Sequence, residues 1–226
     1  MDTATSAQQD QIEKREPILS MVDRVSELCF GLFMALTFVG AVKAVTAGED
    51  AGRKMFLAAL GCNLAWGLAD AVMFLVRTLA VRAQRLTLAL SVKRERNHAA
   101  AVQTLRDALP KSLEPLVEDT ELERIRARLA AVSTLPSRAR FVFDDFLGAL
   151  GIFMLVVIST FPVALPFLVV ADRTVALVIS RVLTLVMLFG AGFALGRYTG
   201  FSAMKAGFAM TTVGIVLTVA IIALGG

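Results

Sequence analysis

From Phe146 to Val170 the chain runs for 25 residues without a charged side chain. A helix of about 20 apolar residues crosses the hydrocarbon core of a bilayer. There the backbone has to satisfy its own polar groups, which a helix does and an open strand cannot. With 57% hydrophobic residues and a mean hydropathy of +0.71, the sequence excludes an ordinary soluble domain. The expected class is an all-α membrane protein.

Four further runs have the same character. Val25–Ala47 carries Glu27 near its start and Lys43 near its end, where a lysine can reach the far interface. Met55–Val76 carries one charge, Asp70, near its middle. Thr174–Gly196 holds Arg181, and Ala206–Gly226 closes the sequence. Five transmembrane helices are therefore expected. Pro162 and Pro166 should kink or unwind the second half of the third. Only Ala171, Asp172 and Arg173 separate it from the fourth, which predicts a tight hairpin. Gly192, Gly196 and Gly200 recur every fourth residue and predict a ridge that lets helices approach closely, and Gly207 and Gly214 are spaced by seven in the fifth.

Residues 81–140 are different. They hold 12 Lys/Arg against 7 Asp/Glu and no membrane-length apolar run. The pattern predicts one helix from Thr78 to Leu109, stopped by Pro110. A second is announced by a capping box between Thr120 and Glu123 and ends before Pro136. The organisation is then an N-terminal tail over 1–24, transmembrane helices 1 and 2 over 25–79, a helical insertion over 80–141, and transmembrane helices 3–5 over 142–226. Lys and Arg in the tail, the insertion and the 197–205 link place all three on the cytoplasmic side and the C-terminus opposite. The tail lacks the apolar core of a cleaved signal peptide. A net charge of +4 reflects this orientation rather than nucleic-acid binding. Cys29 and Cys62 fall in apolar spans and read as small buried residues. No nucleophile with a matching base, phosphate loop or zinc-type spacing is visible, so neither an enzyme nor a bound cofactor is expected.

A carboxylate halfway through a membrane is costly and has to face protein or water. Asn63, Asp70 and Arg77 are spaced by seven, on one stripe of a helix with Trp66, Met73 and Phe74 beside it. Glu27, Gly31, Met34 and Phe38 share a face of the preceding span. Two readings stay open. Asp70 can pair with Arg181 and be silenced. Alternatively, Asp70 and Glu27, helped by Asn63, Met34 and Met73, can line a cation path. Carboxylate, amide and thioether together suit Fe(II) or Mn(II) better than Mg(II).

Two spans, a helical insertion and three more spans resemble the vacuolar iron transporter family. The likeness is clearest in DDFLGALGIFMLVVISTFPVALPFLVV, in LFGAGFALGRYTG and in the final FSAMKAGFAMTTVGIVLTVAIIALGG. Span two, NLAWGLADAVMFLV, is similar to that family's Ala-Asp segment, with Asp70 on its aspartate. The resemblance implies a homodimer that exports Fe(II) or Mn(II) from the cytosol in exchange for protons. It also implies metal collection by cytoplasmic acids, here the patch Glu114, Glu118, Asp119, Glu121 and Glu123. The sequence departs from the family where an Asp-Gly pair reads Phe30-Gly31, where a Gly-Glu-Tyr reads Arg77-Thr78-Leu79, and in the basic charge of the insertion. The alternative expectation is a non-transporting membrane scaffold whose basic insertion binds anionic lipid or a partner protein.

Overall fold

The computed structural model describes residues 19–45 and 51–223, and side-chain surroundings for 19–37 and 52–223. The elements are α1 (Met21–Val45), α2 (Ala51–Arg94), α3 (His98–Asp107), a 3-10 turn (Glu114–Leu116), α4 (Asp119–Ala131), α5 (Phe143–Ala164), α6 (Pro166–Val169), α7 (Arg173–Thr199) and α8 (Ala203–Ala223). No strand occurs among the described residues. Four helical stretches there are long and apolar enough to cross a membrane: Gly52–Arg94, Phe143–Val169, Arg173–Thr199 and Ala203–Ala223. The chain is an all-α membrane protein. The expected first span falls on α1, and the Lys43 side chain lies outside the described residues. The chain divides into a membrane unit, up to Met73 and from Phe146 onward, and a second unit, Phe74–Asp145.

In the membrane unit the glycines set how closely helices approach. A Cβ on Gly192 would come within 2.6 Å of the Ala206 carbonyl, and one on Gly196 within 2.8 Å of the Ala203 Cα. These two residues bring α7 and α8 together along their length. Gly207 lies under the Phe189 ring and Gly214 under Leu185 and Leu188. Gly200 does not extend the ridge. It adopts φ +78° and ends α7 as a left-handed cap, a conformation glycine takes without a Cβ penalty. Against the same helix pair, α1 contributes Val25, Cys29, Leu32 and Ala35 to a core with Val163, Leu188 and Ala191. Cys29 is buried and Cys62 half-buried, both as free thiols.

The third apolar run continues as helix through Pro162 and is interrupted only before Pro166, at Leu165, which keeps right-handed helical backbone. α5 ends at Ala164, and α6 restarts at Pro166 after Leu165. Neither proline has an N–H, so the turn around them loses backbone bonds. Across it, the buried Ser180 hydroxyl of α7 donates to the Val163 carbonyl at 2.6 Å. Asp172 caps α7 by accepting from the Thr174 and Val175 N–H groups at 2.8 and 3.0 Å.

In the second unit the expected helix from Thr78 to Leu109 is not continuous. α2 runs unbroken from Ala51 to Arg94, and Glu95–Asn97 interrupt it before α3. Asn97 causes the restart. Its Oδ1 accepts from the N–H groups of Ala99 and Ala100 at 3.0 and 3.4 Å, an N-cap that competes with helix continuation. The capping box of α4 sits two residues earlier than expected, between Glu118 and Glu121. Glu118 is the last extended residue after the 3-10 turn, so its backbone N–H is the one needing the Glu121 carboxylate, at 3.1 Å. Thr120 is already helical, and Glu123 turns to Arg126 instead. Val92, Ala101 and Leu122 are the buried apolar side chains of this unit.

Candidate functional site

The polar interior of the membrane unit centres on Asn63 of α2, which has no exposed surface. Its Nδ2 donates to the Gly31 carbonyl of α1 at 3.3 Å and to the Thr160 hydroxyl of α5. Three helices therefore meet at one amide. They can do so because two small residues clear the way. A Cβ on Gly31 would collide with the Ser159 hydroxyl, and one on Gly67 would press on Phe153 at 3.2 Å. Thr160 and Ser159 each donate to the Val156 carbonyl, at 3.0 and 2.9 Å. The Asn63 Oδ1 is buried and has no hydrogen-bond partner.

Asp70 lies two helical turns further on. It is half-buried, and its Oδ2 is buried without a hydrogen-bond partner. No ion pair joins Asp70 to Arg181, or to any other described residue. The expected charge partner is half-buried on α7 and does not meet the acid. A carboxylate oxygen held away from water with no donor is a ready acceptor for a proton or a cation, because either relieves the cost of burying it unpaired.

The other expected ligands are distributed rather than gathered. Seven residues of helix separate the Cα atoms of Asn63 and Asp70 by about 10 Å, two turns apart on one face. Asn63 spends its amide nitrogen on helix packing. Met73 is 61% exposed on the flank of α2, and Met34 is half-buried on α1. Glu27, half-buried, has interactions of its own. Trp66, beside the stripe, packs edge-on against Phe30 with ring centroids 6.0 Å apart. No group of three or more His, Cys, Asp or Glu side chains that could hold a metal occurs among the described residues. The structure thus offers two separate unpartnered oxygens along one helix face, not a single closed coordination shell.

The acidic patch of the second unit is largely engaged in structural contacts. Asp119 accepts from Arg106 at 2.6 Å, Glu118 and Glu121 form the α4 capping box, and Glu123 takes Arg126 in a two-pronged pair. That guanidinium holds the Glu123 carboxyl below the ordinary glutamate range. Glu114 opens the 3-10 turn. Sequence reading missed the ion pair with the most buried carboxylate here. Arg82 of α2 grips Asp145 with both nitrogens, at 2.8 and 2.9 Å, and Asp145 also accepts the Val142 N–H at 2.8 Å. It missed the buried hydroxyls too. Ser159, Thr160, Ser180 and Thr184 inside apolar runs were the available signal, since such side chains bond across or along membrane helices.

No protein-family model and no curated protein matches the chain. The class rests on the helices themselves, and the function on the site.

Proposed function

We propose that the protein is a membrane transporter that moves a divalent metal, Fe(II) or Mn(II), out of the cytosol in exchange for protons. The observation that carries this reading is the Asp70 carboxylate. It sits midway along an apolar run with a buried oxygen that no hydrogen bond or ion pair occupies. In this reading the metal is cargo, and Asp70 alternates between holding it and holding a proton. Glu27 serves as a second acid on the path, and Asn63 Oδ1 as a neutral waypoint. Met34 and Met73 offer soft contacts. Arg181 keeps the path from filling with cations at rest, acting through space rather than by pairing. The topology that goes with it is five spans per subunit in a homodimer, with the N-terminus and residues 80–141 cytoplasmic and the C-terminus opposite. No catalytic step and no bound cofactor is part of this reading.

Metal collection by Glu114, Glu118, Asp119, Glu121 and Glu123 is the weaker component, because Arg106, Arg126 and the cap already use most of those carboxylates. The same observation favours a second reading, a non-transporting scaffold. The test is metal flux into proteoliposomes, with and without a pH gradient. Asp70→Asn should abolish flux while the protein stays folded. Flux equal to the parent would remove the mechanism, and a parent without any metal flux would favour the scaffold.

A further inference from the structure

The second unit contains a basic pocket that the transport reading does not use. A cavity of about 690 Å³ is lined by Arg82, Arg85, Leu86, Ser137, Arg138 and Arg140, among others. A smaller one of about 280 Å³, lined by Arg77, Thr78, Val81, Arg82 and Arg85, shares two of those arginines. Arg82 is committed to Asp145, and its Nη1 also donates to the Arg140 carbonyl at 2.5 Å. That contact draws the 136–140 segment against α2. Arg85, Arg138 and Arg140 are exposed and form no ion pair among the described residues. Arg85, Arg138 and Arg140 thus line one opening together with Leu86, Pro136 and Ala139.

Like charges lining one opening repel one another, and an anion bound there relieves the repulsion. Guanidinium groups match phosphate oxygens two at a time. The source of the phosphate follows from the position in the chain. Arg85 is nine residues beyond Val76, where an apolar run ends, about 13 Å along the helix. Arg140 is six residues before Phe146, where the uncharged run begins. Basic side chains this close to spans lie within the field of anionic headgroups. Next to Arg140, Phe141, Val142 and Phe143 are 41, 52 and 74% exposed, an apolar edge suited to lipid rather than to water.

We propose that Arg85, Arg138 and Arg140 form a binding site for the phosphate headgroup of an anionic phospholipid. The site is independent of metal transport and of Asp70. Each arginine contributes roughly a fivefold preference for anionic over zwitterionic lipid, on the order of what one basic residue gains near a charged surface.

The test uses the full chain in detergent micelles doped with phosphatidylglycerol or phosphatidylcholine. Retained lipid is read by native mass spectrometry, and stability by melting. The parent should retain phosphatidylglycerol preferentially and melt higher with it. The triple variant R85Q/R138Q/R140Q should lose at least about tenfold of that preference, while Lys111→Gln, outside the pocket, should keep it. If the triple variant melts lower without lipid, Arg138→Gln alone, on an exposed loop, should still lower the preference roughly fivefold. An undiminished preference in both variants would overturn the site. Equal stabilisation by inorganic phosphate, with loss of bound phosphatidylglycerol, would reassign it to a free anion and overturn the lipid proposal.

Discussion

Gly31→Ala tests whether close approach of α1 and α5 sets the geometry of the membrane unit. The added methyl would collide with the Ser159 hydroxyl and lie 3.0 Å from the Val156 carbonyl and 3.2 Å from its Cα. The hydroxyl can be removed, but the backbone can yield only if the helices part. Overpacking of this kind costs about 1–3 kcal/mol. The Asn63 bond to the Gly31 carbonyl is already 3.3 Å, so a few tenths of an ångström would break it. The expected loss is about 2 kcal/mol, or roughly a 4–8 °C fall in melting temperature for a chain of this size. Ser159→Ala alone should be nearly neutral, since it removes only a bond to a carbonyl within its own helix. Combined with Gly31→Ala it should restore about 1 kcal/mol, because the worst overlap is gone while the backbone contacts stay. Equilibrium unfolding of all four proteins in mixed micelles gives the cycle. A Gly31→Ala protein within about 0.5 kcal/mol of the parent, or a double variant no more stable than Gly31→Ala, would refute the packing argument.

Gly192→Ala should loosen α7 from α8, where the Ala206 carbonyl and Met210 leave no room. Gly190→Ala, with nothing within 4 Å of the new methyl, should be neutral or stabilise by about 0.5 kcal/mol in the same unfolding assay. Arg82→Gln should cost about 2 kcal/mol, because Asp145 is left with its side chain 7% exposed. The 36% exposure of Arg82 keeps the cost below the 3–5 kcal/mol typical of a fully buried pair. Hydrogen exchange at the Val142 amide, which Asp145 binds, should quicken in step. The depressed Glu123 carboxyl predicts a pH effect on α4. Its contribution is complete above the ordinary glutamate range and fades as the pH falls through the lowered value, so amide protection in α4 should drop in acid. Arg126→Gln should weaken that dependence, leaving the part due to the Glu118–Glu121 cap and to His98.

The membrane class was legible because apolar runs of bilayer length leave the backbone no alternative to helix. The break near Pro166 and the close α7–α8 contact were legible for a related reason. A missing N–H and a missing Cβ act wherever the residue sits. Gly200 shows the limit of that logic. Its spacing matched the ridge, but it falls past the last helical turn, where left-handed backbone rather than packing calls for glycine. Helix continuity was harder to read. Nothing in the composition separates the apolar and charged stretches of α2, because both have good helix formers, and Asn97 ended the pattern through a cap rather than a proline. The candidate acid was visible as a charge in an apolar run. Its lack of a partner was not, since pairing depends on how α7 is rotated, and no spacing within one helix reports that. Arg82 and Asp145 are 63 residues apart and looked like ordinary charges flanking a span.

The hydroxyl of Ser180 on the Val163 carbonyl bears on how the chain enters the bilayer. A proline-interrupted segment delivered alone would carry a poorly satisfied turn into oil, and its neighbour would carry a lone hydroxyl. Seventeen residues separate the two groups, joined through a short, capped turn. Leaving the translocon as a pair resolves both difficulties at once. The third and fourth apolar runs are thereby suited to integrate together as one hairpin, and a long linker placed at Ala171 should delay insertion of the earlier run more than that of the later one.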